Sequence, residues 1–79
     1  MSNQDKLKEA FAISLSIPIT RVVDTLSYES IPEWDSVAHM SLVTEIESIF
    51  NIMLDTDDIL ALSSVAISRD ILSKHGIVF

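Results

Sequence analysis

The sequence predicts an all-α fold, a small four-helix bundle with three longer helices and a short third helix. Apolar residues recur at helical spacing in several segments, and no segment shows sustained alternation with strand boundaries. Good capping residues precede these segments. The 79 residues allow one domain, residues 1–79, and the 48% apolar content is sufficient for a hydrophobic core.

The first helix is expected over about residues 4–15, with Asn3 or Asp5 as its cap. Pro18 should end this region, because proline lacks a backbone N–H and clashes with the preceding turn. The apolar positions at helical spacing are Leu7, Phe11 and Leu15.

A long loop is expected over residues 18–35, with a possible helical turn near residues 22–26. A long loop in a small domain is usually either functional or a wrong assignment of secondary structure. Its apolar residues should hold it against the core; these are Val22, Val23, Leu26, Tyr28, Ile31 and Trp34.

The second helix has the clearest pattern, with Ser36 as its expected N-cap and an end near Asn51. Glu45 and Glu47 fall outside the apolar stripe, so they should face solvent. Ile46 and Phe50 should be buried. The whole stripe consists of Val37, Met40, Val43, Ile46 and Phe50.

Two further helices are predicted in the last third of the chain. A short one is expected over residues 57–62, capped from Thr56 or Asp55. The last should cover Val65–Lys74, with Ser64 as its cap and Gly76 just past its end.

The net charge of −7 makes binding to nucleic acid or to an anionic membrane unfavourable and favours basic partners. The N-terminal residues lack the apolar segment of a signal peptide, so we expect a cytoplasmic protein, which we take to be monomeric. Lys and Arg are absent between Val22 and Ser68. The carboxylates of this segment are either a binding surface for a basic partner or simply a solvated face that keeps a small protein soluble. The nine carboxylates there are Asp24, Glu29, Glu33, Asp35, Glu45, Glu47, Asp55, Asp57 and Asp58.

The sequence does not favour an enzyme or a metal protein. Ser36 and His39 lie within one helical turn, but nothing near them in the sequence suggests a substrate pocket or an oxyanion hole. A calcium loop that began at Asp55 would need glycine and glutamate where Leu60 and Ala66 stand. We therefore expect no catalytic residue and no bound metal.

Ser36 is the residue most suited to carrying a group. Its hydroxyl is expected at a helix N-terminus, where free N–H groups and the helix dipole favour a phosphate. The simpler alternative is a structural cap, although His39 occupies the position at which a capping box needs Glu or Gln. The chain has no cysteine, so thioester chemistry would require a prosthetic arm.

The segment Asp35-Ser36-Val37 and the helix after it resemble the acyl carrier protein family, including its peptidyl and D-alanyl relatives. The resemblance covers nearly the whole chain and implies an acyl-carrier-like bundle. It also implies that a phosphopantetheinyl transferase links 4′-phosphopantetheine from coenzyme A to Ser36, and that the arm holds an acyl or aminoacyl thioester. The helix residues that carry the resemblance are His39, Met40, Leu42, Val43, Ile46, Glu47 and Phe50.

The resemblance also implies roles for other residues in docking acyl-activating and acyl-processing enzymes. Asp35 would flank the attachment point, and Val37 and Met40 would form an apolar docking spot. Basic surfaces of these enzymes would meet four acidic residues, Glu45, Glu47, Asp57 and Asp58.

Several positions depart from the carriers of fatty-acid synthesis. Val37 replaces the commoner Leu, Trp34 replaces a small residue, and His39 is atypical. Ala38 and Ser41 stand where those carriers usually have acids. These differences favour a dedicated polyketide, nonribosomal-peptide or envelope-polymer pathway. The alternative is an acidic helical adaptor that binds a basic partner and leaves Ser36 unmodified.

Overall fold

The computed structural model describes residues 2–79, and this part of the chain is mostly helical and contains no β-strand. Its four α-helices confirm the predicted all-α class with a short third helix. In chain order they are α1 (Asn3–Leu15), α2 (Ser36–Phe50), α3 (Thr56–Ala61) and α4 (Val65–Lys74).

The N-cap of helix α1 lies one residue before the first of its predicted caps. Ser2 is the N-cap, and its Oγ accepts a hydrogen bond from the Asp5 amide at 3.1 Å. The prediction of Asn3 or Asp5 as the cap is therefore wrong, because both lie inside the helix. Asp5 instead places a carboxylate in the first turn, where the helix dipole favours it. Ser16 ends the helix in the left-handed region, with φ 55°.

The long loop contains a 3₁₀ turn at Ile19–Arg21, earlier than the helical turn considered for residues 22–26. Pro18 precedes the turn, and its carbonyl accepts from the Arg21 amide at 2.9 Å. Val23 is 51% exposed, so the expectation that it holds the loop to the core is wrong. The loop residues that are buried in the core are Ile17, Val22, Leu26 and Trp34.

The second half of the loop is hydrogen-bonded to the junction between α3 and α4. The Tyr28 amide donates to the Ser63 carbonyl at 2.9 Å, and the Val65 amide donates to the Leu26 carbonyl at 3.1 Å. An isolated antiparallel bridge joins Ser27 to Ser64 between these bonds. The loop is thereby fixed beside α3 before it enters α2.

Helix α2 contributes to the core through its middle and not through its first turn. Ile46 is fully buried, as predicted. Val37 and Met40 are 75% and 54% exposed, so the prediction that they extend the buried stripe is wrong. Phe50 is also only half-buried, because it lies at the edge of the core with its ring centroid 6.4 Å from that of Phe79.

The end of α2 is held by a side chain that was expected to face solvent. Glu47 Oε2 accepts a hydrogen bond from the Leu54 amide at 2.9 Å, which ties the following loop back to the helix. Glu47 and Glu45 are both half-buried, so that expectation is wrong for both. Asn51 ends the helix in the left-handed region at φ 53°, close to the predicted boundary.

The caps of the last two helices agree with the sequence. Asp55 caps α3, and its carboxylate accepts from the Asp58 amide at 2.8 Å. Ser64 caps α4 by accepting from the Ile67 amide at 3.0 Å. Gly76 follows α4 with φ +87°, a conformation that glycine adopts without a steric penalty. Over residues 2–79, no helix combines the length and apolar character that crossing a bilayer requires.

Candidate functional site

The N-cap of α2 is Asp35, so the prediction that Ser36 is the cap is wrong. Asp35 has extended backbone angles, and its Oδ1 accepts a hydrogen bond from the Ala38 amide at 2.8 Å. Ser36 is the first residue of the helix itself. Asp and Ser are comparable caps, and a carboxylate gains additional stabilisation from the positive end of the helix dipole.

Because Asp35 satisfies the cap, the hydroxyl of Ser36 has no structural role in the helix start. Ser36 is exposed, and its Oγ makes no hydrogen bond to any residue of the described chain. It lies on the first turn, where backbone N–H groups lack helical partners. This arrangement leaves a hydroxyl that an external enzyme can reach, in surroundings that favour an attached phosphate.

An open, mainly apolar pocket of about 290 Å³ lies beside Ser36, between the first turns of α2, helix α3 and the loop. This pocket could not be predicted from the sequence, because its walls come from three separate parts of the chain. Helical periodicity identifies the face that each helix buries but not the gap that remains between two helices. The lining residues are Tyr28, Ser36, His39, Met40, Ile59, Leu60, Leu62 and Ser63.

His39 forms one wall of the pocket and is hydrogen-bonded through both ring nitrogens. The Trp34 indole Nε1–H donates to His39 Nδ1 at 3.0 Å, and His39 Nε2 lies 3.0 Å from the Ile59 carbonyl oxygen. An indole N–H can only donate and a carbonyl can only accept, so the ring carries its proton on Nε2. With both nitrogens engaged, His39 is not positioned to take a proton from Ser36.

Trp34 anchors the residues that precede Ser36. It is fully buried, with its ring centroid 5.3 Å from that of Phe11 and 6.3 Å from that of Tyr28. The His39 ring lies nearly coplanar with it, at an interplanar angle of 19°, and is joined to it edge to edge by the hydrogen bond from Nε1 to Nδ1. This aromatic cluster fixes the backbone directly before Asp35. The sequence predicted that Trp34 holds the loop against the core, and its full burial confirms this, but the contact between Trp34 and His39 was not predicted.

The predicted apolar docking residues lie on the surface near Ser36. Val37 and Met40 are exposed, and Met40 lines the pocket. Leu60 on α3 also lines the pocket and is 77% exposed, although the sequence did not single it out. Exposed apolar side chains grouped in this way are typical of an interaction surface.

The four predicted acidic docking residues are not equivalent. Asp57 is exposed, whereas Glu45 is half-buried and Glu47 is bonded within the fold. Asp58 is half-buried, and its Oδ2 lies 2.8 Å from His75 Nε2. This hydrogen bond is the main reason why the pKa of Asp58 lies below its ordinary value of 3.8. Only Asp57 combines full exposure with freedom from such a contact.

Within residues 2–79, no three His, Cys, Asp or Glu side chains are grouped so that they could hold a metal ion. Comparison of the chain with protein-family models, with curated proteins and with solved structures finds no match.

Proposed function

We propose that this chain is an acyl carrier protein that holds acyl or aminoacyl groups as thioesters on a 4′-phosphopantetheine arm attached to Ser36. The supporting observation is that the Ser36 hydroxyl is exposed and unbonded at the start of α2, because Asp35 makes the cap in its place. The chain would pass these groups between partner enzymes of a dedicated biosynthetic pathway. It would perform no chemistry itself.

Attachment of the arm is a phosphoryl-group transfer from coenzyme A. A separate phosphopantetheinyl transferase, with Mg²⁺, would direct Ser36 Oγ at the phosphorus that carries pantetheine. The new P–O bond forms as the bond to the adenosine 3′,5′-bisphosphate leaving group breaks, and the hydroxyl proton passes to a base of the transferase. The product is a phosphodiester at the N-terminus of α2, where the helix dipole favours negative charge.

The surface around Ser36 has the chemistry that transient docking requires. Val37, Met40 and Leu60 supply exposed apolar contact area on both sides of the pocket. Asp57 supplies an exposed carboxylate on α3, which would attract basic partner surfaces and mainly increase the rate of encounter. We therefore expect the partner enzymes to contact the first two turns of α2 together with α3.

The test is incubation of the purified chain with coenzyme A, Mg²⁺ and a broad-specificity phosphopantetheinyl transferase. Intact-protein mass spectrometry should show the addition of one phosphopantetheine. Ser36→Ala should abolish the addition, whereas Ser41→Ala should be modified like the wild type, because Ser41 is exposed further along the same helix. An unmodified wild-type chain, beside a reference carrier that the same transferase does modify, would contradict the proposal.

The alternative function, an acidic adaptor, predicts a different pair of results. Binding to a basic partner would then be unaffected by Ser36→Ala and weakened by Asp57→Lys. The exposed apolar residues near Ser36 suit this function as well, so the covalent modification is the result that separates the two.

A further inference from the structure

The two histidines of the chain, one on α2 and one just after α4, contact adjacent residues of α3. His39, on α2, lies 3.0 Å from the Ile59 carbonyl oxygen, and His75, just after α4, lies 2.8 Å from the Asp58 carboxylate. Helix α3 is only 6 residues long and none of them is buried. Its placement therefore depends on these polar contacts and on the apolar residues that flank it.

We propose that His39 is a positioning residue that holds α3 against α2 and thereby sets the opening of the pocket beside Ser36. Its two hydrogen bonds, from Trp34 and to Ile59, are called the latch below. The latch itself is a property of this fold and does not depend on the carrier function. Its effect on attachment at Ser36 rests on that proposed function.

The latch joins a buried side chain to a helix that has no fully buried residue. At the buried end, Trp34 lies in the aromatic cluster and donates to His39 Nδ1. At the other end, His39 Nε2–H donates to Ile59, which belongs to a helix without a buried residue. The imidazole ring thus connects the core to a short helix that packs on it only through partly buried side chains.

The pocket lies directly beside this connection. Ile59 and Leu60 form its α3 wall, and Met40 and Ser36 form its α2 wall. Loss of the bond from His39 to Ile59 would let the α3 wall move away from Ser36. In a carrier, the position of α3 relative to the first turn of α2 would then vary, and the transferase would bind this surface less well.

Two substitutions of His39 each remove one of its two hydrogen bonds and keep the other. In His39→Asn, the amide oxygen can take the place of Nδ1 and accept from Trp34, but the side chain is too short to reach Ile59. In His39→Gln, the amide nitrogen reaches about as far as Nε2 and can donate to Ile59, while the acceptor for Trp34 is lost. The histidine ring does both because its two nitrogens point in different directions.

Hydrogen exchange measured by NMR should show opposite patterns in these variants. In His39→Asn, the Ile59 and Leu62 amides, which bond within α3, should exchange about five-fold faster, the change expected from losing one ordinary hydrogen bond. The Trp34 indole proton should stay protected. In His39→Gln the α3 amides should stay protected and the indole proton should exchange faster.

His75→Asn is the matched control, because its side chain is too short to keep the other histidine contact of α3, the bond from His75 Nε2 to Asp58. It should leave the exchange of the Trp34 indole proton unchanged. Wild-type ring ¹⁵N chemical shifts should show His39 with its proton on Nε2, a measurement that needs no variant. A proton on Nδ1, or the same exchange pattern in His39→Asn and His39→Gln, would overturn the latch.

The consequence for attachment is measured separately with the transferase. His39→Asn should raise the KM for the carrier several-fold with little change in kcat, and His39→Gln should restore the wild-type KM. An unchanged KM in His39→Asn would overturn the effect of the latch on attachment. Failure of the wild-type chain to accept the arm would reject the carrier function, while the exchange patterns would still decide whether the latch exists.

Discussion

His75 Nε2 and Asp58 Oδ2 lie 2.8 Å apart and join the end of α4 to α3. The histidine follows the last turn of α4, and the carboxylate lies in the first turn of α3. An ionised carboxylate only accepts hydrogen bonds, so His75 Nε2 is the donor. This bond is the largest of the causes that hold the pKa of Asp58 below 3.8.

The first prediction is that the Asp58–His75 contact contributes to stability except in acid. The folded-state pKa of Asp58 is lowered, so its contribution is present above the unfolded value of 3.8 and is lost as the pH falls through the folded value. The unfolding free energy of Asp58→Asn should therefore decrease less than that of the wild type as the pH falls below about 4. Urea unfolding of wild type and variant at a series of pH values measures this difference.

A second ion pair, between Asp24 and Arg69, limits how much of the acid dependence of stability Asp58→Asn can remove. Arg69 donates to Asp24 at 2.8 Å and lowers the pKa of Asp24, so this pair loses stability in the same acid range. Asp58→Asn should remove only part of the acid dependence. The matched control is Asp57→Asn, at the exposed neighbouring position. Equal acid curves for Asp58→Asn and wild type would show that the contact is not maintained in solution.

The second prediction concerns the cap of α2. Asp35→Ala removes the acceptor for the Ala38 amide and should reduce the unfolding free energy by about 0.5–2 kcal/mol. Asp35→Ser should retain most of the stability, because a serine hydroxyl also accepts at an N-cap. Chemical denaturation measures both variants. If Asp35→Ala were as stable as wild type, Asp35 would not be the functioning cap.

The third prediction is that Ser36→Ala is nearly neutral for stability. Its hydroxyl is exposed and takes no part in the cap, and such surface substitutions usually change the unfolding free energy by less than about 0.5 kcal/mol. Thermal melting of unmodified Ser36→Ala and unmodified wild type tests this. A clear loss of stability would mean that Ser36 shares the capping role. The failure of Ser36→Ala to be modified by the transferase would then have a structural explanation.

The comparison between Asp35 and Ser36 shows what the sequence could and could not predict. Adjacent residues that both favour the N-cap locate a helix start to within one residue, and the choice between them depends on backbone angles that periodicity does not contain. The cap of α4 was predicted correctly, because Ser64 is followed directly by Val65, which is a poor N-cap, whereas Asp35 is followed by a second good cap. The α2 start was wrong by one residue, which changes the role of the Ser36 hydroxyl.

Contacts between distant segments could not be predicted from the sequence for a different reason. Ile46 was predicted to be buried because it lies in the middle of a regular apolar stripe, and the structure confirms this. The bond from His39 to Ile59 and the bond from Glu47 to Leu54 each depend on how a later segment folds back. A polar residue at the edge of an apolar face is compatible with solvent or with such a contact, so composition cannot decide between them.

The fourth prediction follows from the different burial of Ile46 and Phe50 on α2. Ile46 is fully buried, so Ile46→Ala should cost about 2–5 kcal/mol through lost burial and a residual cavity. Phe50 is half-buried at the edge of the core, where the site can collapse or admit water. The unfolding free energy lost in Phe50→Ala should therefore be smaller than the roughly 3–5 kcal/mol typical of truncating a fully buried phenylalanine.

Denaturant unfolding of the two variants ranks these costs directly. Small domains have about 5–15 kcal/mol of total stability, so Ile46→Ala should remove a large share of it and Phe50→Ala a smaller share. Phe79→Ala provides the matched control for Phe50, because the two rings contact each other at the edge of the core. A larger loss in Phe50→Ala than in Ile46→Ala would mean that the C-terminal residues cover Phe50 more fully in solution and that the core extends to this end of α2.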